Sequence, residues 1–236
     1  MTSRSRFNIA FLSCSLLIGS CVAASAADLV VIDARGVALK PGQKVDSTKP
    51  LALKEGQHVT LISPTGATIK LDGPYNRAPD ADQARGVPVA NTLALLVNQR
   101  QTRVGEVGTT RGLAPNTLPD PWVLDASRAG TFCLREGQVA VFWRPSATAD
   151  ADLVVVPTDR SWKANAHWSA GSDRIEVEAP AVIRPGATYV VTLNGTESAV
   201  KVETVPTSLP NDQVRTAWLA GKGCEAQAEA LLRSAK

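Results

Sequence analysis

From Asp28 onward the apolar residues recur in short alternating runs broken by glycine or proline, as in Leu29-Val30-Val31-Ile32, Val59-Thr60-Leu61-Ile62, Thr68-Ile69-Lys70-Leu71 and Tyr189-Val190-Val191-Thr192-Leu193. Short β-branched runs with turn residues between them predict strands. In the first part of the chain these fall near 29–33, 36–40, 44–46, 51–53, 57–63 and 67–72, with Pro64-Thr65-Gly66 turning between the last two and Gly73-Pro74 ending the sheet. From about 120 to 206 seven further short runs follow at even spacing, which is the pattern of an antiparallel sandwich. Helical periodicity is convincing in two places only. After Pro88 the residues Val89, Leu93, Leu96 and Val97 share one face to about Gln101, and from about Asn211 to Ser234 an apolar face is supplied by Val214, Trp218, Leu219, Ala228, Leu231 and Leu232, with a break at Gly221-Lys222-Gly223.

One turn pattern recurs. Ala38-Leu39-Lys40-Pro41-Gly42-Gln43 is echoed by Ala52-Leu53-Lys54-Glu55-Gly56-Gln57 and by Cys133-Leu134-Arg135-Glu136-Gly137-Gln138. Each predicts a strand reaching a glycine of positive φ and a second strand returning, a hairpin solution used several times rather than an internal duplication.

The expected fold is therefore mainly β. A small β module with an accessory helix occupies 28–112, a linker follows at 113–119, a β-sandwich occupies 120–206, and a terminal helix packs on that sandwich over 207–236. The boundary rests on the glycine-rich run Gly105 to Gly112 and on Pro115, Pro119 and Pro121.

The first residues change the picture. Arg4 and Arg6 precede an apolar run from Phe7 to about Ala24 that meets the small residues Ala24-Ser25-Ala26-Ala27, the pattern of a secretory signal peptide over 1–27. Asn8, Ser13, Ser15 and Ser20 interrupt the run, so a retained membrane anchor fits it less well. Two maturation routes stay open. Cleavage after Ala27 yields a soluble periplasmic chain, whereas Leu17-Ile18-Gly19-Ser20-Cys21 resembles a lipobox, in which Cys21 would be acylated and anchor the chain to the envelope. Loss of Arg4 and Arg6 takes the formal charge from +3 to +1, which calls for neither nucleic acid nor an anionic membrane surface.

Outside the cytosol the remaining cysteines, Cys133 and Cys224, are expected to form a disulfide. On the chain-entropy model so long a loop stabilises the fold by roughly 4 to 5 kcal/mol.

Chemistry is sparse. His58 and His167 are the two histidines, and neither has a carboxylate, cysteine or second histidine at ligand spacing, so no metal or other cofactor is expected. No nucleophile elbow, zinc-protease helix or dinucleotide turn occurs. Asp80 with Asp82, and Asp150 with Asp152, read as solvated turns rather than an acid–base pair. No enzymatic activity is expected. Trp122, Trp143, Trp162, Trp168 and Trp218 all lie in the second half. They serve either as core or as a ligand face; Trp162 and Trp168, in a polar loop around His167, are the candidates for a binding surface. Arg100, Arg103 and Arg111 form a mildly basic stretch that is either an ordinary solvated face or a partner surface.

Gly36-Val37-Ala38-Leu39 followed by Gly42 and Val45, then Leu51, Leu53, Gly56, Val59 and Leu61, then Gly66, Ile69, Leu71 and Gly73-Pro74 together resemble the periplasmic β domain of FecR-type signalling proteins over about residues 30–74. That resemblance implies an envelope sensor or scaffold making protein contacts, with no catalytic residues to transfer. The cytoplasmic anti-sigma segment that such proteins carry ahead of their apolar run has no counterpart here. The second module is immunoglobulin-like in the broad architectural sense, which assigns no function. The expectation is a non-enzymatic periplasmic scaffold, sensor or protein-interaction module, partnered by an envelope protein or cell-wall component, without a transmembrane span in its mature form. The alternative is a periplasmic small-ligand or glycan-binding protein using Trp162, His167 and Trp168 as an aromatic platform.

Overall fold

A computed structural model of the chain describes residues 28–89, 91, 117–177, 183–184 and 186–234. The expected leader with Cys21, the arginines at 100, 103 and 111, and most of the expected linker lie outside the described residues, as does all of the expected helix after Pro88 except Val89 and Asn91.

The protein is mainly β. Its first body is a four-stranded antiparallel sheet in the order β2-β1-β4-β5, built from β1 (Asp28–Arg35), β2 (Lys44–Asp46), β4 (His58–Ile62) and β5 (Thr68–Asp72). A two-stranded ribbon of β3 (Leu51–Leu53) and β6 (Tyr75–Arg77) covers one face of it. The unbroken apolar run of β1 has a physical reason. Leu29 and Val31 point into the core shared with Leu53, Val59, Leu61, Ile69 and Leu71, whereas Val30 and Ile32 point the other way, into a second core. A strand buried on both faces cannot alternate with polar residues.

The second body is a sandwich. Five strands in the order β11-β10-β13-β14-β8 face three in the order β12-β9-β7. The large sheet comprises β8 (Gly130–Arg135), β10 (Ala151–Pro157), β11 (Ala164–Trp168), β13 (Thr188–Leu193) and β14 (Thr196–Val205); the small one comprises β7 (Leu124–Asp125), β9 (Ala140–Trp143) and β12 (Arg174–Val177). Phe132, Phe142, Leu153, Val155, Trp168, Tyr189, Val191, Val200 and Val202 fill the space between them.

Two helices close the chain, α1 (Asp212–Gly221) and α2 (Glu225–Ser234). Asn211 caps α1 by accepting from the Val214 amide at 2.9 Å. Gly223, at φ +81°, makes the left-handed turn that ends it. Val214, Ala217, Trp218, Leu219, Cys224, Ala228 and Leu231 pack at once against Val30, Ile32 and Ile62 of the first sheet and against Cys133 and Val205 of the second. The helix pair is a wedge between the bodies. It is also bonded to both, since the Trp218 indole donates to the Thr204 carbonyl at 3.1 Å and the Lys222 ammonium to the Ile32 carbonyl at 3.0 Å. That carbonyl lies where the β1–β4 register shifts between Val31 and Asp33.

Several expectations need correction. Residues 36–40 form no strand; Gly73-Pro74 does end the four-stranded sheet, and β6 beyond it pairs with β3 in a separate ribbon. The terminal helical segment, divided at the expected break after Gly221, packs on both bodies rather than on the sandwich alone. The sandwich is not wholly antiparallel, since β8 pairs parallel with β14 and β7 parallel with β9. The recurring glycine pattern stands in an antiparallel hairpin only at Gly42, where β2 returns along β1; at Gly56 and Gly137 it is a turn and not a hairpin. Gly42, Gly56 and Gly137 do take φ of +84°, +76° and +76°. In all three the glutamine amide closes on the lysine or arginine carbonyl three residues earlier, at 3.0, 3.0 and 3.1 Å. In the first two the glutamine side chain also accepts from that lysine's amide, at 3.1 and 2.7 Å. Yet β3 and β4 join different sheets, and so do β8 and β9. The shared residues encode a local reversal; what the chain does afterwards is decided by packing.

Candidate functional site

The aromatic platform expected from Trp162, His167 and Trp168 does not assemble. These residues belong to or adjoin β11, a strand and not a loop, so successive side chains point to opposite faces. Trp168 turns inward and is 1% exposed, with the Arg144 guanidinium 4.9 Å from its ring centroid. His167 turns outward, its Nδ1 3.4 Å from Asp152 Oδ1 on the neighbouring strand. Trp162 is half-buried, 5.9 Å from the Tyr189 ring. One aromatic ring of the expected pair is thus core, and the other borders a groove.

That groove lies at the seam between the two sheets, where β11 ends the large sheet and β12 the small one. It encloses about 460 Å³ and is lined by Trp162, Lys163, Ala164, Asn165, Ala166, Glu176 and Val177. The small Ala164 and Ala166 open it, since they are the inward side chains of an edge strand where bulkier residues would fill the gap.

A second cleft, about 670 Å³, opens between the first sheet and α1. Arg35, Lys70, Arg85 and Lys222 approach it around an apolar floor that includes Ile32, Ala217 and Ala220. Three of these cations are already engaged: Arg35 with Asp33 at 3.3 Å, Arg85 with Asp82 at 3.1 Å, and Lys222 with the Ile32 carbonyl.

Arg85 also reaches a carboxylate that is buried rather than the solvated turn residue expected. Asp82, in the 3-10 helix Pro79–Arg85, accepts from the Tyr75 hydroxyl at 2.8 Å, from Arg77 Nε and Nη2 at 3.1 and 2.8 Å, and from Arg85 Nη1 at 3.1 Å. The Tyr75 hydroxyl foremost, then the arginines, hold its carboxyl below the usual carboxylate range, while burial pushes the Tyr75 phenol up. Asp46, at the end of β2, is lowered to about 2 chiefly by the Thr48 hydroxyl, and Asp159, in an exposed turn, is lowered chiefly by the Ser161 amide. The Asp82 network fastens the 3-10 helix onto β6 and leaves no acceptor free for chemistry.

Two more interior polar residues were not legible as such. Arg144, 4% exposed, donates only to carbonyls, those of Ala149, Ser169 and Ser172, and so clamps two loops of the sandwich. Gln227, fully buried, donates to the Cys133 and Val123 carbonyls at 2.9 and 3.3 Å and accepts from the Cys133 amide. The available signal was a glutamine standing four residues before Leu231 on the apolar stripe of α2.

The expected disulfide is present, with the Cys133 and Cys224 Cα atoms 5.8 Å apart. It ties β8 to the start of α2. His58 Nδ1 meets Asp72 Oδ1 at 2.5 Å on the exposed face of the first sheet. Among the described residues no group of three or more His, Cys, Asp or Glu side chains could hold a metal, and no helix is long and apolar enough to cross a membrane. No family model and no curated protein matches the chain.

Proposed function

We propose that the chain works outside the cytosol as a non-enzymatic interaction protein of the cell envelope, a scaffold or sensor module whose partner is another envelope protein or a cell-wall component. The observation that carries this reading is the Cys133–Cys224 disulfide, set in the core where the helix wedge meets β8. Such a bond persists in an oxidising compartment and is rare in the cytosol. The leader-like residues 1–27 agree with export, and the resemblance over 30–74 agrees with a protein-binding role. The wedge supports it further, because both β bodies share one buried core with the helices and so present their surfaces together. Among the described residues, each histidine meets one exposed carboxylate, and the two buried carboxylates are spent, Asp82 on two arginines and a phenol and Asp125 on Ser127 and Arg128. The small-ligand or glycan alternative keeps Trp162 at a groove but loses Trp168 to the core.

Fractionation with intact-mass measurement tests the reading. The protein should leave the cells on osmotic shock with its leader removed and its mass two hydrogens below the reduced value, or remain with the envelope if Cys21 is acylated. Crosslinking in intact cells should capture the same partner repeatedly. Recovery from the cytosol with leader intact and both thiols alkylatable would sink it.

A further inference from the structure

Among the described residues some sheet edges are sealed and others are not. At the β8 edge, Gln227 occupies both backbone groups of Cys133 in the way a neighbouring strand would. At the β5 edge, Thr68 and Val87 exchange two backbone bonds of 2.9 Å. At the far side of the sandwich, β11 ends the five-stranded sheet and no described residue pairs with its outer side. It carries no proline and no bulge, the usual protections of an edge. The other uncovered sandwich edge, β12, is shorter and bears Arg174 and Glu176.

The backbone geometry of β11 follows from its neighbours. The Asn194 amide donates to the Asp152 carbonyl and the Thr158 amide to the Thr188 carbonyl, so the even-numbered residues of β10 face β13. Leu153 and Val155 therefore face β11, where their partners are Ala166 and Ala164. Asn165 and His167 are left to direct their N–H and C=O groups away from the sheet. Beneath that free edge lies the 460 Å³ groove with Trp162 and Val177 on its walls.

We propose that β11 is a strand-addition site, and that its occupant is an extended segment of a partner protein with apolar side chains at alternate positions and acidic ones between them. Backbone bonds to Asn165 and His167 would hold the segment, and its apolar residues would fill the groove left by Ala164 and Ala166. Charge selects the other face. Lys163 lies outward and makes no ion pair among the described residues, whereas His167 already faces Asp152. A second copy supplies no acid for Lys163, since antiparallel pairing of two β11 strands about Asn165 sets it opposite His167. The inference rests on the interaction role proposed above but not on export.

The test uses the purified oxidised protein and two fluorescein-labelled heptapeptides, one alternating valine with glutamate and one valine with lysine, read by anisotropy. The glutamate peptide should bind. Asn165→Pro, which removes an outward donor and no bond within the sheet, should weaken it by roughly tenfold or more. Lys163→Glu should shift the preference to the lysine peptide, and it decides the matter should Asn165→Pro fail to fold. The proposal is overturned if neither peptide saturates, if folded Asn165→Pro binds as tightly as the parent, or if only Trp162→Ala affects binding, which would mean a side-chain pocket. A dimer that Asn165→Pro dissociates would equally overturn it in favour of a second copy. Peptide failure alongside reproducible crosslinks in cells retires the edge alone; a cytosolic, reduced protein retires export and leaves the edge measurable.

Discussion

Gln227 treats Cys133 as a neighbouring strand would, its side-chain oxygen accepting from the Cys133 amide while its nitrogen donates to the Cys133 carbonyl at 2.9 Å. The disulfide from the same residue to Cys224 runs to the same helix end, so a covalent and a polar tie act at one point of β8. Removing the side chain leaves a buried amide and carbonyl without partners, and such groups cost about 1 to 3 kcal/mol each. Gln227→Ala should lose about 3 kcal/mol in urea unfolding of the oxidised protein. A loss below about 0.5 kcal/mol would mean that water reaches the β8 edge and that the amide is not the seal described.

The joint between the first sheet and α1 can be weighed with two glycines of nearly equal backbone angle. Gly56 has φ +76° and nothing within 4 Å of an added Cβ; Gly66 has φ +80° and the Gln213 carbonyl oxygen at 2.8 Å. Gly56→Ala should cost about 1 kcal/mol, the left-handed penalty alone. Gly66→Ala should cost about 2 to 3 kcal/mol, because the turn must also retreat from α1. Equal costs by thermal or urea unfolding would show that the close approach there has no energetic weight.

Acid should act through Asp82. Its carboxyl is lowered from 3.8 in the folded protein, first by the Tyr75 hydroxyl. A lowered folded-state pKa confers stability that is complete above the unfolded value and drains away as pH falls through the folded one, which places the loss below about pH 4. Asp82→Asn should lower Tm at neutral pH and flatten its fall between pH 4 and 2. An unchanged acid limb would assign that limb to other carboxylates.

The two tryptophans flanking His167 should behave differently. Trp168→Ala empties a site in the sandwich core and should cost about 3 to 5 kcal/mol. Trp162→Ala, at the groove wall, should cost no more than about 2 kcal/mol and leave a cooperative transition. Equal destabilisation in guanidinium would make Trp162 as much core as its neighbour.

What the amino-acid order determined by itself is local. Period-two runs marked where most strands lie, glycines marked where the chain takes positive φ, Gly221 to Gly223 marked the break between α1 and α2, and Cys133 and Cys224 anticipated their own bond. Each of these depends on a residue and its near neighbours, through steric limits on φ and the face a side chain takes. Tertiary structure decided the pairings. Nothing local distinguishes a Leu53 whose strand meets Tyr75 from one that folds back on His58, or tells β8 to run parallel to β14. The same holds for polarity: Asp82 and Gln227 look like surface residues until distant arginines, a phenol and a strand edge surround them. Alternation records which way a side chain points, but only the packed chain supplies what it points at. The wedge of α1 and α2 between two sheets and the closed edge at β8 are settled there.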